Sequence, residues 1–98
     1  QSVQALTSWM FDAAFLGGEG MEAEGVTNSH ANLAAFQQAV LARARRTFFC
    51  IDASKLGRAT PHRVTGWAKT ITLVTDARPA ALAGAGIVLP AGQLIAAR

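Results

Sequence analysis

Apolar residues fall along this chain in short, sharply bounded runs, and the polar residues that end each run recur in type. The clearest case is Thr47 to Arg58, TFFCIDASKLGR, where the apolar run Phe48 to Ile51 stops abruptly at Asp52. A strand buried on both faces reads as such a continuous run and not as an alternation. Ile71 to Thr75, ITLVT, is rich in β-branched residues and repeats the pattern, ending at Asp76. Phe11 to Leu16, FDAAFL, predicts a first buried strand with Asp12 at its mouth, and Ile87 to Leu89 a fourth, short one. Between these runs the period changes. Ser2 to Trp9 carries Val3, Leu6 and Trp9 or Met10 at helical spacing. Ser29 is placed to cap a helix over His30 to Arg46, whose apolar stripe is Leu33, Phe36, Val40 and Ala44. Gly17 to Ser29 holds four glycines and three glutamates and reads as a loop. Lys55 to Lys69 is interrupted by Gly57, Pro61 and Gly66, so it predicts an irregular crossover with room for one short strand. Pro79 suits the first position of a short helix over Ala80 to Ala83. The order strand, helix, strand, crossover, strand, helix, strand predicts an α/β domain. Its sheet is Rossmann-like, mostly parallel and flanked by helices.

Composition sharpens this reading. At 98 residues the chain is one small domain at most. A hydrophobic fraction of 51% is high for so short a chain. Either the core is unusually apolar, or some of the surface is covered by a partner subunit or by a further piece of the same domain. Charge is segregated. Residues 1 to 30 carry Asp12, Glu19, Glu22 and Glu24 and no lysine or arginine, whereas the remainder holds all nine bases against Asp52 and Asp76. Arg43, Arg45 and Arg46 close the predicted helix. Such a cluster can contact nucleic acid, but without interleaved aromatics it more simply complements the helix dipole. Cys50, the single cysteine, sits inside an apolar run and reads as a small buried hydrophobe, and no disulfide or zinc pattern exists. Pro79 to Ala97 is uncharged, yet its prolines and glycines break it too often for a membrane span.

The candidate chemistry gathers where the strands end. In open α/β sheets, ligands bind outside the carboxyl ends of the strands. The first predicted strand offers Gly17 to Gly20 with Glu19, the second Asp52 and Lys55, and the third Asp76. Lys55 stands beside a turn, either as a plain surface charge or as the holder of an anion. The loop from Gly17 to Thr27 leads to a helix N-terminus, where free amides favour an anion, with Thr27, Asn28 and Ser29 as further donors. The alternative is a mobile surface loop with solvated glutamates. Neither a dinucleotide nor a P-loop pattern occurs, and His30 and His62 have no serine or cysteine motif with which to build a hydrolase triad.

Taken in order, FDAAFLGGEGMEAEGVTN, then a helix, FFCIDASKLGR and ITLVTD, the chain resembles the C-terminal sensor domain of DeoR-family bacterial transcriptional repressors. The shared positions are Asp12, Ala14 to Gly17, Gly20, Gly25 and Thr27, then Asp52, Ser54, Lys55, Gly57, Arg58, Thr75 and Asp76. The resemblance implies a fold related to ribose-5-phosphate isomerase and coenzyme A transferases, with a phosphorylated sugar or related metabolite as effector. It implies that Lys55 contacts the effector's phosphate, that Glu19 faces the sugar hydroxyls with Gly17 also among the effector-binding residues, and that Gly25, Val26 and Thr27 form the pocket's second loop. Glu19 stands where the family usually has aspartate and Val26 where it has leucine, which puts the identity of the effector in question. An isomerase-like or transferase-like enzyme fragment is the alternative. Isomerisation needs a positioned carboxylate base, but residues 25 to 51 contain none, and Gln37 falls near its place. The resemblance further implies a cytoplasmic protein with no catalytic residue, metal or cofactor. It makes the chain the C-terminal half of a sensor domain, with DNA contacted only through an absent N-terminal helix-turn-helix. The exposed sheet edges of such a half predict a homo-oligomer.

Overall fold

A computed structural model describes residues 10–97. The elements in chain order are β1 (Phe11–Leu16), β2 (Gly20–Glu22), β3 (Gly25–Asn28), α1 (Ala31–Arg43), β4 (Ala44–Cys50), a 3-10 turn (Ala53–Lys55), β5 (His62–Thr65), β6 (Ile71–Thr75), α2 (Pro79–Gly84) and β7 (Leu94–Ala96). The helical pattern over Ser2 to Trp9 lies outside the described residues. Four strands form an all-parallel sheet in the order β1-β4-β6-β7, and β2-β3-β5 form a small antiparallel sheet. The chain is an α/β domain.

Every step along the parallel sheet runs in the same direction, so right-handed connections all land on one face. The core confirms it. Phe49, Ile51, Ile71 and Leu73 from the sheet pack with Ala34 of α1, Val64 of β5, Leu82 of α2, and Met21 and Val26 of the small sheet. The opposite face carries no element of the described chain, and this explains two departures from the expected burial. In β1 only Ala14 is buried, whereas Phe15 is 68% exposed and stacks on Phe48 of β4 with ring centroids 4.8 Å apart. Cys50, expected inside, points to the same uncovered side and is exposed. The apolar runs have the composition of strands buried twice, but the described residues bury them once.

Three element boundaries also move. The glycine-rich segment is not a loop but the hairpin β2-β3 with a two-residue turn. Its glycines serve close approach: a Cβ on Gly20 would sit 2.3 Å from the Arg58 carbonyl oxygen, and one on Gly25, at φ +143°, 1.9 Å from that of Thr65. Helix α1 ends at Arg43, and Ala44 to Arg46 begin β4, so only Arg43 lies in the last helical turn. The buried face of α1 is Ala34, Gln37 and Val40, and Leu33 and Phe36 lie at the exposed margin. Ile87 to Leu89 is irregular: Ile87 plugs the core beneath α2. The last strand comes later, at Leu94–Ala96, after Gln93 donates from Nε2 to the Lys69 and Ile71 carbonyls at 2.7 and 2.6 Å.

Candidate functional site

At the end of β1 the chain turns through Gly17 and Gly18, where a Cβ on Gly18 would meet Val26 at 2.6 Å. The turn is held from behind by a chain of amides. Gln37 Nε2 donates to the Gly17 carbonyl at 2.8 Å, Asn28 Nδ2 donates to Gln37 Oε1, and the Glu19 N–H donates to Asn28 Oδ1 at 3.1 Å. Gln37 and Asn28 are both buried, so each bond is made where an unmade one would be expensive. The Glu19 carboxylate then accepts through Oε1 from the Ser29 hydroxyl and from the Ser29 N–H at 3.2 Å. Ser29 therefore anchors Glu19 and does not cap α1, whose N-cap is His30 with no side-chain bond. The Ser29 hydroxyl is the main cause that lowers the Glu19 pKa below the ordinary carboxylate value. The Ser29 amide, His30 and Arg58 act in the same sense, against the opposing effect of burial.

At the ends of β4 and β6 two aspartates converge on one turn. Asp52 Oδ1 accepts from the Ser54 N–H at 3.0 Å and from its hydroxyl, and Asp76 Oδ1 accepts from the Ala53 N–H at 2.7 Å. Together they fix the 3-10 turn that carries Lys55. The Lys55 ammonium lies 4.0 Å from Asp52 and 3.5 Å from the Ser54 hydroxyl, and its side chain is 31% exposed. The Asp52 pKa is lowered, chiefly by the Ser54 hydroxyl and then by Lys55 and the Ser54 amide. A shallow cleft of about 330 Å³ opens beside this turn, lined by Cys50 to Asp52, Val74 to Asp76 and Ala97. Backbone contacts tie the turn to the hairpin. The Gly57 N–H donates to the Met21 carbonyl at 2.7 Å, and Thr27 Oγ1 accepts from the Thr60 N–H at 3.1 Å.

The residues singled out from the sequence divide into two groups. Gly17, Glu19 and Lys55 lie at the carboxyl ends of the parallel strands and reach solvent. Gly25, Val26 and Thr27 form β3 and are buried: Val26 is part of the core, and the Thr27 hydroxyl is engaged by Thr60. Asn28 and Ser29, expected as further donors to an anion, are instead engaged within the protein, Asn28 by Gln37 and Glu19 and Ser29 by Glu19. Gln37, expected only near the place of an isomerase base, holds the Gly17 turn. Among the described residues no group of three or more His, Cys, Asp or Glu could hold a metal ion, and no helix is long and apolar enough to cross a membrane.

Compared with known families, residues 1–77 match the model of the DeoR C terminal sensor domain. No curated protein and no solved structure matches the chain.

Proposed function

The chain belongs to the DeoR C-terminal sensor domain family, a family of regulatory domains in transcription regulators, and from that premise we propose that it binds a phosphorylated sugar or a similar small anion. The effector sits at the carboxyl ends of β1, β4 and β6. Its phosphate pairs with the Lys55 ammonium, and its hydroxyls face Glu19 and the cleft beside Asp52 and Asp76. The observation that carries this reading is the convergence of Asp52 and Asp76 on the turn of Lys55. Two carboxylates at the ends of different strands hold the turn that carries one lysine, at the place where α/β sheets bind ligands. Gly17 keeps the backbone open to an anion at this rim, where a Cβ would meet nothing nearer than 4.0 Å, while Gly18 is required for packing against Val26. Gly25, Val26 and Thr27 act from beneath, through the packing of β3 and the Thr27 bond to Thr60, and hold the hairpin against the Lys55 turn.

Binding without turnover fits the same geometry. Both ends of the Gln37 amide are committed to Gly17 and Asn28, and an amide is no general base. Effector binding in a cytoplasmic repressor then alters DNA affinity through a DNA-binding segment that residues 10–97 do not supply. Calorimetric titration of the chain with sugar phosphates, with inorganic phosphate as the minimal probe, tests the assignment. Lys55→Ala removes a charge-assisted contact and is expected to weaken binding by about 10- to 100-fold. Unchanged affinity in that variant would remove Lys55 from the site.

A further inference from the structure

The segment from Pro79 to Ala97 contains no charged residue, although much of it is surface. Helix α2 shows only Leu82 to the core, Val88 is 81% exposed, and β7 is half-buried to exposed along its length. This segment lies beyond the family match, which ends at residue 77. It holds an apolar groove of about 310 Å³ between α2 and the turn at Pro90, bordered on one side by Leu94. It also holds an open strand edge. The Leu73 N–H donates to the Gln93 carbonyl and the Ala97 N–H to the Thr75 carbonyl, each at 2.8 Å, with Ile95 opposite Val74. Successive residues of a strand address opposite sides, so the N–H and C=O groups of Leu94 and Ala96 point away from β6. Among the described residues nothing pairs with that edge.

We propose that this edge is a self-association surface, with β7 pairing antiparallel to β7 of a second copy of the chain about a two-fold axis at Ile95. Leu94 then lies opposite Ala96 of the second copy, and the two such pairs exchange four backbone hydrogen bonds. Ile95, 45% exposed, meets its own counterpart. Charge decides for a second copy over an unrelated partner. About a two-fold axis each residue meets its own kind or a near neighbour, so a charge near the axis would repel its copy. Nineteen consecutive residues without a charge satisfy that condition. Native edges are commonly blunted by shortness, lysine, proline or a bulge; Leu94–Ala96 is short, at three residues, but contains no lysine or proline. The groove beside Leu94 extends the contact beyond the strand itself, as a specific interface requires.

Sedimentation equilibrium of the 98-residue chain, with Ile95→Lys and Phe15→Lys variants, tests the surface. The expected result is a dimer that Ile95→Lys weakens by at least about ten-fold, since it sets two ammonium groups opposite one another, while Phe15→Lys on the uncovered sheet face leaves it intact. Ala96→Pro removes an outward N–H without touching the β6 ladder and gives the same dissociation with native circular dichroism. A monomer at every concentration overturns the proposal and leaves the edge to a strand of another protein. A dimer that survives Ile95→Lys, or one that Phe15→Lys dissociates, overturns it in favour of another face. None of these outcomes depends on the effector site.

Discussion

Gln37 donates to Gly17 and accepts from Asn28, so its removal leaves the buried Asn28 amide without a partner and releases the solvent-facing Gly17 carbonyl. Gln37→Leu, close in volume, is expected to cost about 1–3 kcal/mol, the penalty of one unsatisfied buried group. Urea denaturation measures it, and a loss near zero would mean that water or a neighbour replaces the bond to Asn28. Glu19 gives a prediction in pH. Its folded pKa lies below its unfolded value. Its contribution to stability is therefore present above the unfolded carboxylate pKa and is lost as pH falls through the lowered folded one. Ser29→Ala removes the chief cause, so the Glu19 titration, followed by carbon NMR of its side chain, moves up toward the ordinary carboxylate value. A titration that does not move would assign the shift to the Ser29 amide, which the variant keeps, and to His30 and Arg58.

At the scale of elements, the two faces of the sheet predict opposite costs for the same chemical change. Phe49 is 0% exposed in the core, and Phe49→Ala is expected to destabilise by about 3–5 kcal/mol. Phe15 loses only its stack on Phe48, so Phe15→Ala costs about 1 kcal/mol or less. Equal costs would show that the outer face is covered in solution. The strands Phe11–Leu16 and Ile71–Thr75 were legible to the residue, because an apolar run bounded by polar residues leaves few other registers. The hairpin was not. With strands of three and four residues, β2 and β3 are too short for a period, and glycines needed for close approach read the same as glycines needed for flexibility. The stripe of α1 was displaced because burial here is decided partly by a hydrogen-bond network, which draws Gln37 inward, and hydropathy does not register that. The last strand was misplaced because Ile87 to Leu89 is the more apolar piece. What makes Leu94–Ala96 a strand is a free place beside β6, which no local pattern records.

For the whole molecule, winding in one direction has two consequences that belong together. It stacks α1, α2 and the small sheet on one face, and it leaves the carboxyl ends of β1, β4 and β6 open beside one another. The small sheet then braces the site from below through Gly57 and Thr27. That Glu19 and Lys55 each follow the carboxyl end of a parallel strand was legible, because the sequence delimits both strands. The burial of Val26 and Thr27 was not, since it depends on the pairing of β3 with β5 across a long separation. The central claim is that an anionic effector binds at these strand ends, and amide NMR of the isotopically labelled chain tests it most directly. Titration with sugar phosphates should give saturable shifts at Gly17 to Glu19 and Ala53 to Lys55 that vanish in Lys55→Ala. Shifts confined to the arginines of β4, or none at all, would contradict it.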